Sequence, residues 1–205
     1  MRRVRLPLYQ TEASPLARSA QLRIWLRMVV TLVLLGVALQ VQAQLKSGVQ
    51  APLFKAPAAE AGKVVEFDLA KALKQGAVVL YFYPKAFTSG CTIEAQLFAE
   101  SMPEFRAHQA TVVGVSGDDI KTLQEFSLGP CAGKFSVASD NTGDIMKAYD
   151  AALMIIPGMA DRISYVIAPN GKILDVYDSM SPQQHVSRTL AAVKAWHKTS
   201  SKNSR

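Results

Sequence analysis

The amino-acid sequence predicts an α/β domain with a central mixed β-sheet and helices on both of its faces. The segment "AVVLYFY" (77–83) is apolar throughout, which is typical of a strand buried on both sides. The segment "RISYVIAPNGKILDVYD" (162–178) places two alternating apolar runs around Asn170 and Gly171, a pattern that predicts a β-hairpin at an antiparallel edge. Helical patterns separate the other strands, as expected for a sheet covered on both faces.

The individual elements follow from apolar periodicity, helix caps and helix breakers. In chain order they are a strand over 64–69 after an Ala/Pro-rich lead-in over 44–60, a strand over 77–83, a helix beginning near Cys91, a strand over 111–116, a helix from Asp118 or Asp119 to about Phe126, a strand over 134–140, a short helix over 142–153, the 162–178 hairpin and a final helix from Ser181. The helix near Cys91 has an apolar face that includes Phe98 and Phe105. Pro103 lies within this face and predicts a kink or a restart capped by Ser101.

Capping side chains mark two of these helices. Asp118 and Asp119 are capping candidates for the helix that follows the strand over 111–116. Ser181 is followed by Pro182, which suits a first helical position, and Gln184 completes a capping box. The final helix then has one buried face, formed by Val186, Leu190 and Val193.

A secretory signal is predicted for residues 1–43. Arginines precede the apolar stretch "MVVTLVLLGVAL" (28–39), and a small-residue site ending at Ala43 follows it. The apolar stretch is shorter than the ~20 residues that a spanning helix needs. We therefore expect cleavage after Ala43 and export to the periplasm, with an uncleaved anchor in the inner membrane as the alternative. The rest of the chain is predicted to be one domain over 44–197 and a disordered tail over 198–205.

Charge and histidine positions argue against two kinds of binding site. The net charge is +7, but the leader over residues 1–43 holds six of the 23 basic residues and only one of the 16 acidic ones. The rest of the chain is nearly balanced, which argues against nucleic-acid binding. His108, His185 and His197 are scattered without ligand spacing, so the sequence predicts no metal site and no cofactor.

Cys91 is one of two cysteines in the chain and occupies a position suited to a nucleophile. It follows the buried strand over 77–83 after a short loop, which displays a side chain at the carboxyl edge of an α/β sheet. It also lies at the start of a predicted helix, where free N–H groups and the helix dipole favour an anion, here the thiolate. The alternative is a buried structural cysteine. Glu94, in the first turn of the same helix, is expected on its solvated face.

A family resemblance strengthens the nucleophile interpretation. Pro84, Thr88 and Cys91 form the pattern P-x-x-x-T-x-x-C, which resembles the active-site motif of the peroxiredoxins. With Thr92, the segment is similar to the bacterioferritin-comigratory, or PrxQ-like, branch. The resemblance covers about 48–196 and includes "YFYPKAFTSGCTIEA", "VVGVSGDD" and "DRISYVIAPNGKI" in the same order. It implies a thioredoxin-like fold and a thiol-dependent peroxidase activity.

The resemblance also implies a role for each matching residue. Cys91 would attack the O–O bond of a hydroperoxide as a thiolate and become a sulfenic acid. Thr88 would hydrogen-bond the peroxide and the thiolate, and Pro84 would shield the sulfur from water. The distant arginine of the family matches Arg162, whose charge would stabilise the thiolate and the departing oxygen.

The residue that would resolve the sulfenic acid of Cys91 is less well defined. Many PrxQ-like proteins carry a resolving cysteine at the position of Gln96, so that partner is missing here. Cys131, in "SLGPCAGKF", is favoured as the resolving cysteine of an intramolecular disulfide, which requires Cα atoms within about 7 Å. The alternative is a one-cysteine enzyme that uses an external thiol.

The leading functional interpretation is a thiol-dependent peroxidase of the cell envelope, acting on hydrogen peroxide or small organic hydroperoxides. Its expected partner is a thioredoxin-like or other thiol reductant, and it is expected to be a monomer or a dimer. A thioredoxin-type oxidoreductase would need a C-x-x-C pair at the helix start, which residues 90–94 do not contain. A non-enzymatic peroxide sensor or holdase is the third alternative and would show low turnover.

Overall fold

A mixed β-sheet forms the centre of the computed structural model, which describes residues 45–203. The leader predicted over residues 1–43 lies outside the described residues. The elements of the described part are β1 (Lys55–Glu60), β2 (Lys63–Asp68), α1 (Leu69–Leu73), β3 (Ala77–Phe82), α2 (Ser89–Ala107), β4 (Ala110–Ser116), α3 (Ile120–Leu128), β5 (Ser136–Ser139), α4 (Asp144–Ala148), β6 (Ile163–Ile167), β7 (Ile173–Asp178) and α5 (Pro182–Asn203).

The strands are ordered β2-β1-β5-β4-β3-β6-β7 across the sheet. β4 pairs in parallel with both β3 and β5, whereas β6 pairs antiparallel with β3 and β7. β1 pairs antiparallel with β2 and β5. The predicted mixed sheet is therefore confirmed, and the hairpin of β6 and β7 supplies one of its edges.

β3 lies between β4 and β6, and all of its side chains are buried. Val79 and Tyr81 belong to the core cluster beneath α2, α3 and α5. Val78, Leu80 and Phe82 belong to the cluster beneath α1 and α4 on the opposite face. This alternation follows the two-residue period of a strand. The run "AVVLYFY" is continuously apolar because helices cover both faces, as predicted.

The structure contains a strand that the sequence does not indicate. Residues 44–60 are expected to be an irregular lead-in, but Lys55–Glu60 forms β1, which pairs along its whole length with β2. Alanine and proline, which make up most of this strand, are poor strand formers. The strand forms because Ala58 and Ala59 are fully buried and also pair with β5. Tertiary packing therefore outweighs local propensity.

Helix α2 continues through Pro103, so the predicted restart at Ser101 is wrong. Phe98, Met102 and Phe105 are buried on both sides of the proline. Because these three side chains form one continuous apolar face against the sheet, their burial offsets the local cost of a proline within a helix.

Helix α5 extends to Asn203, so residues 198–203 are helical where a disordered tail is predicted. The hydroxyls of Thr199 and Ser201 donate to backbone carbonyl oxygens of the preceding turn. Extending an existing helix costs less than starting one, which lets polar residues continue it without a buried face. Neither α5 nor any other helix within residues 45–203 is long and apolar enough to cross a membrane.

Candidate active site

Cys91 lies at the carboxyl end of β3 and at the start of α2. Strand β3 ends at Phe82, Thr88 is the N-cap residue of α2, and Cys91 follows in the first turn of the helix. The Cys91 side chain is only 1% exposed and packs in the core cluster that contains Tyr83 and Ala86. The thiol is therefore buried, next to the free N–H groups of a helix start.

Asp118 holds the loop that precedes Cys91. Its Oδ2 accepts hydrogen bonds from the backbone N–H of Ala86 at 2.7 Å and from the hydroxyl of Ser116 at 2.9 Å. The other capping candidate, Asp119, is the residue that caps α3, where its side chain accepts an N–H of the first turn. Asp118 thus ties the loop between β3 and α2 to the end of β4.

Arg162 reaches Cys91 because of the strand register. β6 pairs antiparallel with β3, and Ile163 lies opposite Phe82, so the start of β6 meets the end of β3. The Nη2 group of Arg162 donates to the Sγ atom of Cys91 at 3.2 Å, and Arg162 is only 3% exposed. Gly90 leaves room for this contact, since a Cβ atom there would lie 3.2 Å from Nη2.

Glu94 is the second partner of Arg162, and its predicted place on a solvated face is wrong. The Glu94 side chain is fully buried, and its Oε2 accepts a hydrogen bond from Nη1 of Arg162. The sequence does contain an indication of this position. Glu94 lies three residues after Cys91, and residues at this spacing share a helix face, so a buried Cys91 places Glu94 on the buried side as well.

The buried charges at this site shift each other's titration. Burial raises the pKa of Glu94 to about 8, because desolvation of the carboxylate outweighs the attraction of Arg162. Burial opposes the charge of Arg162, but the negative charges of Glu94 and Cys91 raise its pKa, so the guanidinium stays charged. Arg162 therefore faces two groups, a thiol and a carboxyl, that compete for one positive charge.

His185 lies behind this cluster, at the start of α5. It is fully buried, with Nε2 at 2.7 Å from the carbonyl oxygen of Ser179 and Nδ1 at 2.8 Å from the hydroxyl oxygen of Ser164. Its Nδ1 is 3.8 Å from Oε1 of Glu94. Burial lowers the pKa of His185, and the nearby charge of Arg162 lowers it further. The sequence carried no pattern that links His185 to Cys91, because the two helices meet only in the folded chain.

We expect the stability of the protein to fall as the pH rises through the titration of Glu94. The pKa of Glu94 rises from an ordinary 4.5 to about 8, so its contribution is fully present below 4.5 and is lost as the pH rises through 8. The loss is on the order of 5 kcal/mol of unfolding free energy. Urea unfolding between pH 5 and 9 measures it, and Glu94→Gln should remove this slope.

Glu100→Gln is the matched control for that measurement. Glu100 lies on the same helix, and its side chain is exposed. This variant should keep the pH dependence of the unmodified protein. An equal slope in the Glu94→Gln variant would show that another group causes it.

Thr88 and Pro84 lie in the short segment between the end of β3 and Cys91. Thr88 is exposed, and its hydroxyl donates to the carbonyl oxygen of Lys85 at 3.0 Å. Its oxygen can still accept a hydrogen bond. Pro84 is half-buried in the loop directly after β3. Both residues therefore precede Cys91 in the chain, in the segment that connects β3 to the first turn of α2.

Cys131 is a free, fully buried thiol in the segment that follows α3. Burial raises its pKa well above the ordinary thiol value. It belongs to the same core cluster as Cys91, together with Tyr83 and Phe126. Its backbone N–H donates to the carbonyl oxygen of Phe126 at 3.2 Å. Residues 45–203 contain no cluster of His, Cys, Asp and Glu side chains that could hold a metal ion.

Known proteins with similar sequences include several peroxiredoxins. Peroxiredoxin Q from Arabidopsis thaliana is 31% identical over 118 residues, which are 57% of this chain and 54% of that protein. Peroxiredoxin Q from Oryza sativa subsp. japonica is 31% identical over 119 residues, or 58% of this chain and 54% of the relative. Both relatives are chloroplastic proteins. The chain spans about half the length of the curated relatives it matches.

Solved structures and a family model agree with these relatives. Peroxidoxin BcpB from Mycobacterium tuberculosis has a TM-score of 0.68 and 30% identity, over 74% of this chain and 97% of that one. Peroxiredoxin Q from Xanthomonas campestris has a TM-score of 0.61 and 28% identity, over 69% and 90%. Residues 47–176 match the model of the AhpC/TSA family. The chain therefore belongs to the AhpC/TSA family and has the thioredoxin-like fold of the peroxiredoxins.

Proposed function

We propose that this protein is a thiol-dependent peroxidase in which Cys91 is the peroxidatic cysteine. The observation that carries the proposal is the 3.2 Å hydrogen bond from Arg162 to the sulfur of Cys91, in a buried site at a helix start. Both the guanidinium charge and the helix dipole stabilise a thiolate in this position. Membership of the AhpC/TSA family supports the same activity.

The reaction oxidises sulfur and reduces the peroxide. The Cys91 thiolate attacks the terminal oxygen of a hydroperoxide, an S–O bond forms, and the O–O bond breaks. Sulfur keeps the OH group as a sulfenic acid, and the departing alkoxide takes a proton to leave as an alcohol, or as water when the substrate is hydrogen peroxide. The substrates we propose are hydrogen peroxide and small organic hydroperoxides.

The neighbouring residues divide the remaining tasks in this proposal. Arg162 stabilises the thiolate and the charge that develops on the departing oxygen. Its Nε–H is buried without a hydrogen-bond partner among residues 45–203, and a peroxide oxygen would satisfy it. Thr88 offers its hydroxyl oxygen to the O–H group of the peroxide, and Pro84 limits the access of water to the sulfur of Cys91.

We assign the second half of the cycle to Cys131. Its thiol attacks the Cys91 sulfenic acid, an S–S bond forms, and water leaves. Both cysteines are buried, so the segment around Cys131 or the start of α2 must rearrange to bring the two sulfurs together. A one-cysteine cycle, in which an external thiol attacks the sulfenic acid, is the alternative.

The reductant and the cellular location complete the proposal. A thioredoxin-like protein or another thiol reduces the oxidised enzyme. The basic and apolar leader over residues 1–43 supports export to the periplasm, with anchoring in the inner membrane as the alternative. In either case the reductant must be available outside the cytoplasm.

Mass spectrometry of the reduced protein after one equivalent of hydrogen peroxide tests the proposal. We expect the loss of two hydrogens and a peptide that links Cys91 to Cys131. In the Cys131→Ser variant we expect the addition of oxygen at Cys91 alone.

Two other outcomes would change the conclusion. Oxygen addition at Cys91 in the unmodified protein, without a cross-link, would show a one-cysteine enzyme. A Cys91 that stays reduced while peroxide persists would overturn the peroxidase proposal.

A further inference from the structure

A buried carboxylate oxygen without a partner lies behind the active site. Glu94 is fully buried, and only its Oε2 is bound, by Arg162. Its Oε1 has no hydrogen-bond partner among residues 45–203. The facing group is Nδ1 of His185 at 3.8 Å, about one ångström longer than a hydrogen bond. A buried carboxylate oxygen without a hydrogen-bond partner costs free energy. Protonation of that oxygen lowers the cost, because it removes the buried charge.

The hydrogen bonds of His185 define where its proton lies. The carbonyl oxygen of Ser179 can only accept, so Nε2 of His185 carries a hydrogen and donates it. In the neutral ring, Nδ1 then has one lone pair, which lies 2.8 Å from the hydroxyl oxygen of Ser164 and 3.8 Å from Oε1 of Glu94. Either the hydroxyl of Ser164 or a protonated Oε1 can donate to that lone pair. Because the hydroxyl of Ser164 rotates, a proton between Nδ1 and Oε1 would satisfy both atoms when the hydroxyl turns away.

We propose that Glu94 and His185 share one proton behind Arg162, and that His185 is a positioning residue which keeps the charge of Arg162 available to Cys91. This inference rests on the proposed peroxidase function. Closing the 3.8 Å gap to hydrogen-bond length requires a shift of about one ångström. With the proton in place, the carboxyl group is neutral, and Arg162 pairs with the Cys91 thiolate as the only anion in the cluster.

The charge balance of the site favours this arrangement. The groups that face the pair are Cys91 from α2, Arg162 from β6, Tyr177 from β7 and Tyr81 from β3. Burial raises the pKa of Tyr81 well above its ordinary value, so its hydroxyl stays neutral. One guanidinium, one thiolate and one shared proton give a neutral buried cluster. A carboxylate anion added to that cluster would leave a net negative charge in a medium that disfavours it.

Loss of the shared proton then has a defined consequence. The carboxylate of Glu94 becomes a second anion on Arg162, and the thiolate of Cys91 loses part of its charge partner. The departing oxygen of the peroxide loses the same stabilisation. Because burial raises the pKa of Glu94 to about 8, this loss falls within the pH range of an ordinary rate measurement. The rate of Cys91 oxidation should therefore decline on the alkaline side.

The second-order rate constant for oxidation by hydrogen peroxide, measured from pH 5 to 10, tests the inference. The unmodified protein should show an alkaline decline of about tenfold. Glu94→Gln should lack the decline, because the amide cannot ionise. His185→Gln should move the decline to lower pH by about one unit, because an amide cannot take the proton and can donate to the carboxylate.

His108→Gln is the matched control. His108 caps the far end of α2, where its ring contacts the carbonyl oxygen of Glu104. The pH–rate profile of the His108→Gln variant should superimpose on that of the unmodified protein. A decline that persists in Glu94→Gln, or a His185→Gln profile lowered by the same factor at every pH, would overturn the inference and leave His185 with a packing role.

Nitrogen NMR of His185 separates this inference from the proposed function. We expect a neutral ring with hydrogen on Nε2, and a change at Nδ1 that titrates together with the rate decline. A protein that does not react with peroxide at any pH would refute the peroxidase proposal. The NMR titration would still decide whether the proton is shared, and an Nδ1 signal that does not change between pH 5 and 10 would overturn the inference.

Discussion

Cys91→Ser should reduce peroxide consumption to the uncatalysed background, a loss on the order of 10⁶-fold. The serine hydroxyl does not ionise at neutral pH, so neither the dipole of α2 nor the charge of Arg162 can supply an oxygen nucleophile. The replacement is nearly isosteric at a position that is 1% exposed, so the fold should persist. Peroxide consumption with dithiothreitol as the reductant measures the effect.

Cys131→Ser is the matched control, since it makes the same change at the other buried cysteine. We expect it to keep the rate of the first oxidation, because in the proposed cycle Cys131 acts only after the sulfenic acid has formed. Its turnover should then depend on the concentration of the external thiol. Equal losses of the first oxidation in both variants would contradict the assignment of Cys91 as the sole nucleophile.

Arg162→Gln should lower the rate constant of Cys91 oxidation by about 10²–10³-fold. The variant removes the guanidinium that donates to the sulfur of Cys91, so the attacking sulfur and the departing oxygen both lose the stabilisation of a positive charge. Arg162→Lys should recover part of the rate, because the ammonium group of lysine keeps the positive charge. The recovery should be partial, because the planar guanidinium of Arg162 donates to Cys91 and Glu94 together, which an ammonium group cannot do in the same geometry. Stopped-flow oxidation with hydrogen peroxide measures both variants.

Arg188→Gln is a suitable control for the loss of an arginine. Arg188 lies on α5, where it pairs with Asp175 on the surface, and its side chain is about half exposed. Surface pairs of this kind contribute little to stability. The Arg188→Gln variant should react at the rate of the unmodified protein. An Arg162→Gln variant within threefold of that rate would show that Arg162 does not act on the sulfur.

Much of the fold is readable from the sequence where burial and periodicity coincide. The apolar run at 77–83 marks the central strand, and the Asn170-Gly171 turn marks the hairpin of β6 and β7. The strand over 55–60 is not readable, because alanine and proline give no strand pattern and only pairing with β2 and β5 makes them one. Helix α2 likewise continues past Pro103 because of its packing, and a rule based on local helix propensity does not include packing.

The site divides in the same way. The sequence by itself determined the place of Cys91, since a cysteine at a helix start after a buried strand is a local arrangement, and the motif with Pro84 and Thr88 is local as well. Only the tertiary structure decided what surrounds it. The antiparallel register of β6 on β3 brings Arg162 to Cys91, and the packing of α5 brings His185 to Glu94. Contacts between residues tens of positions apart depend on strand order and helix packing, and these are properties of the whole chain.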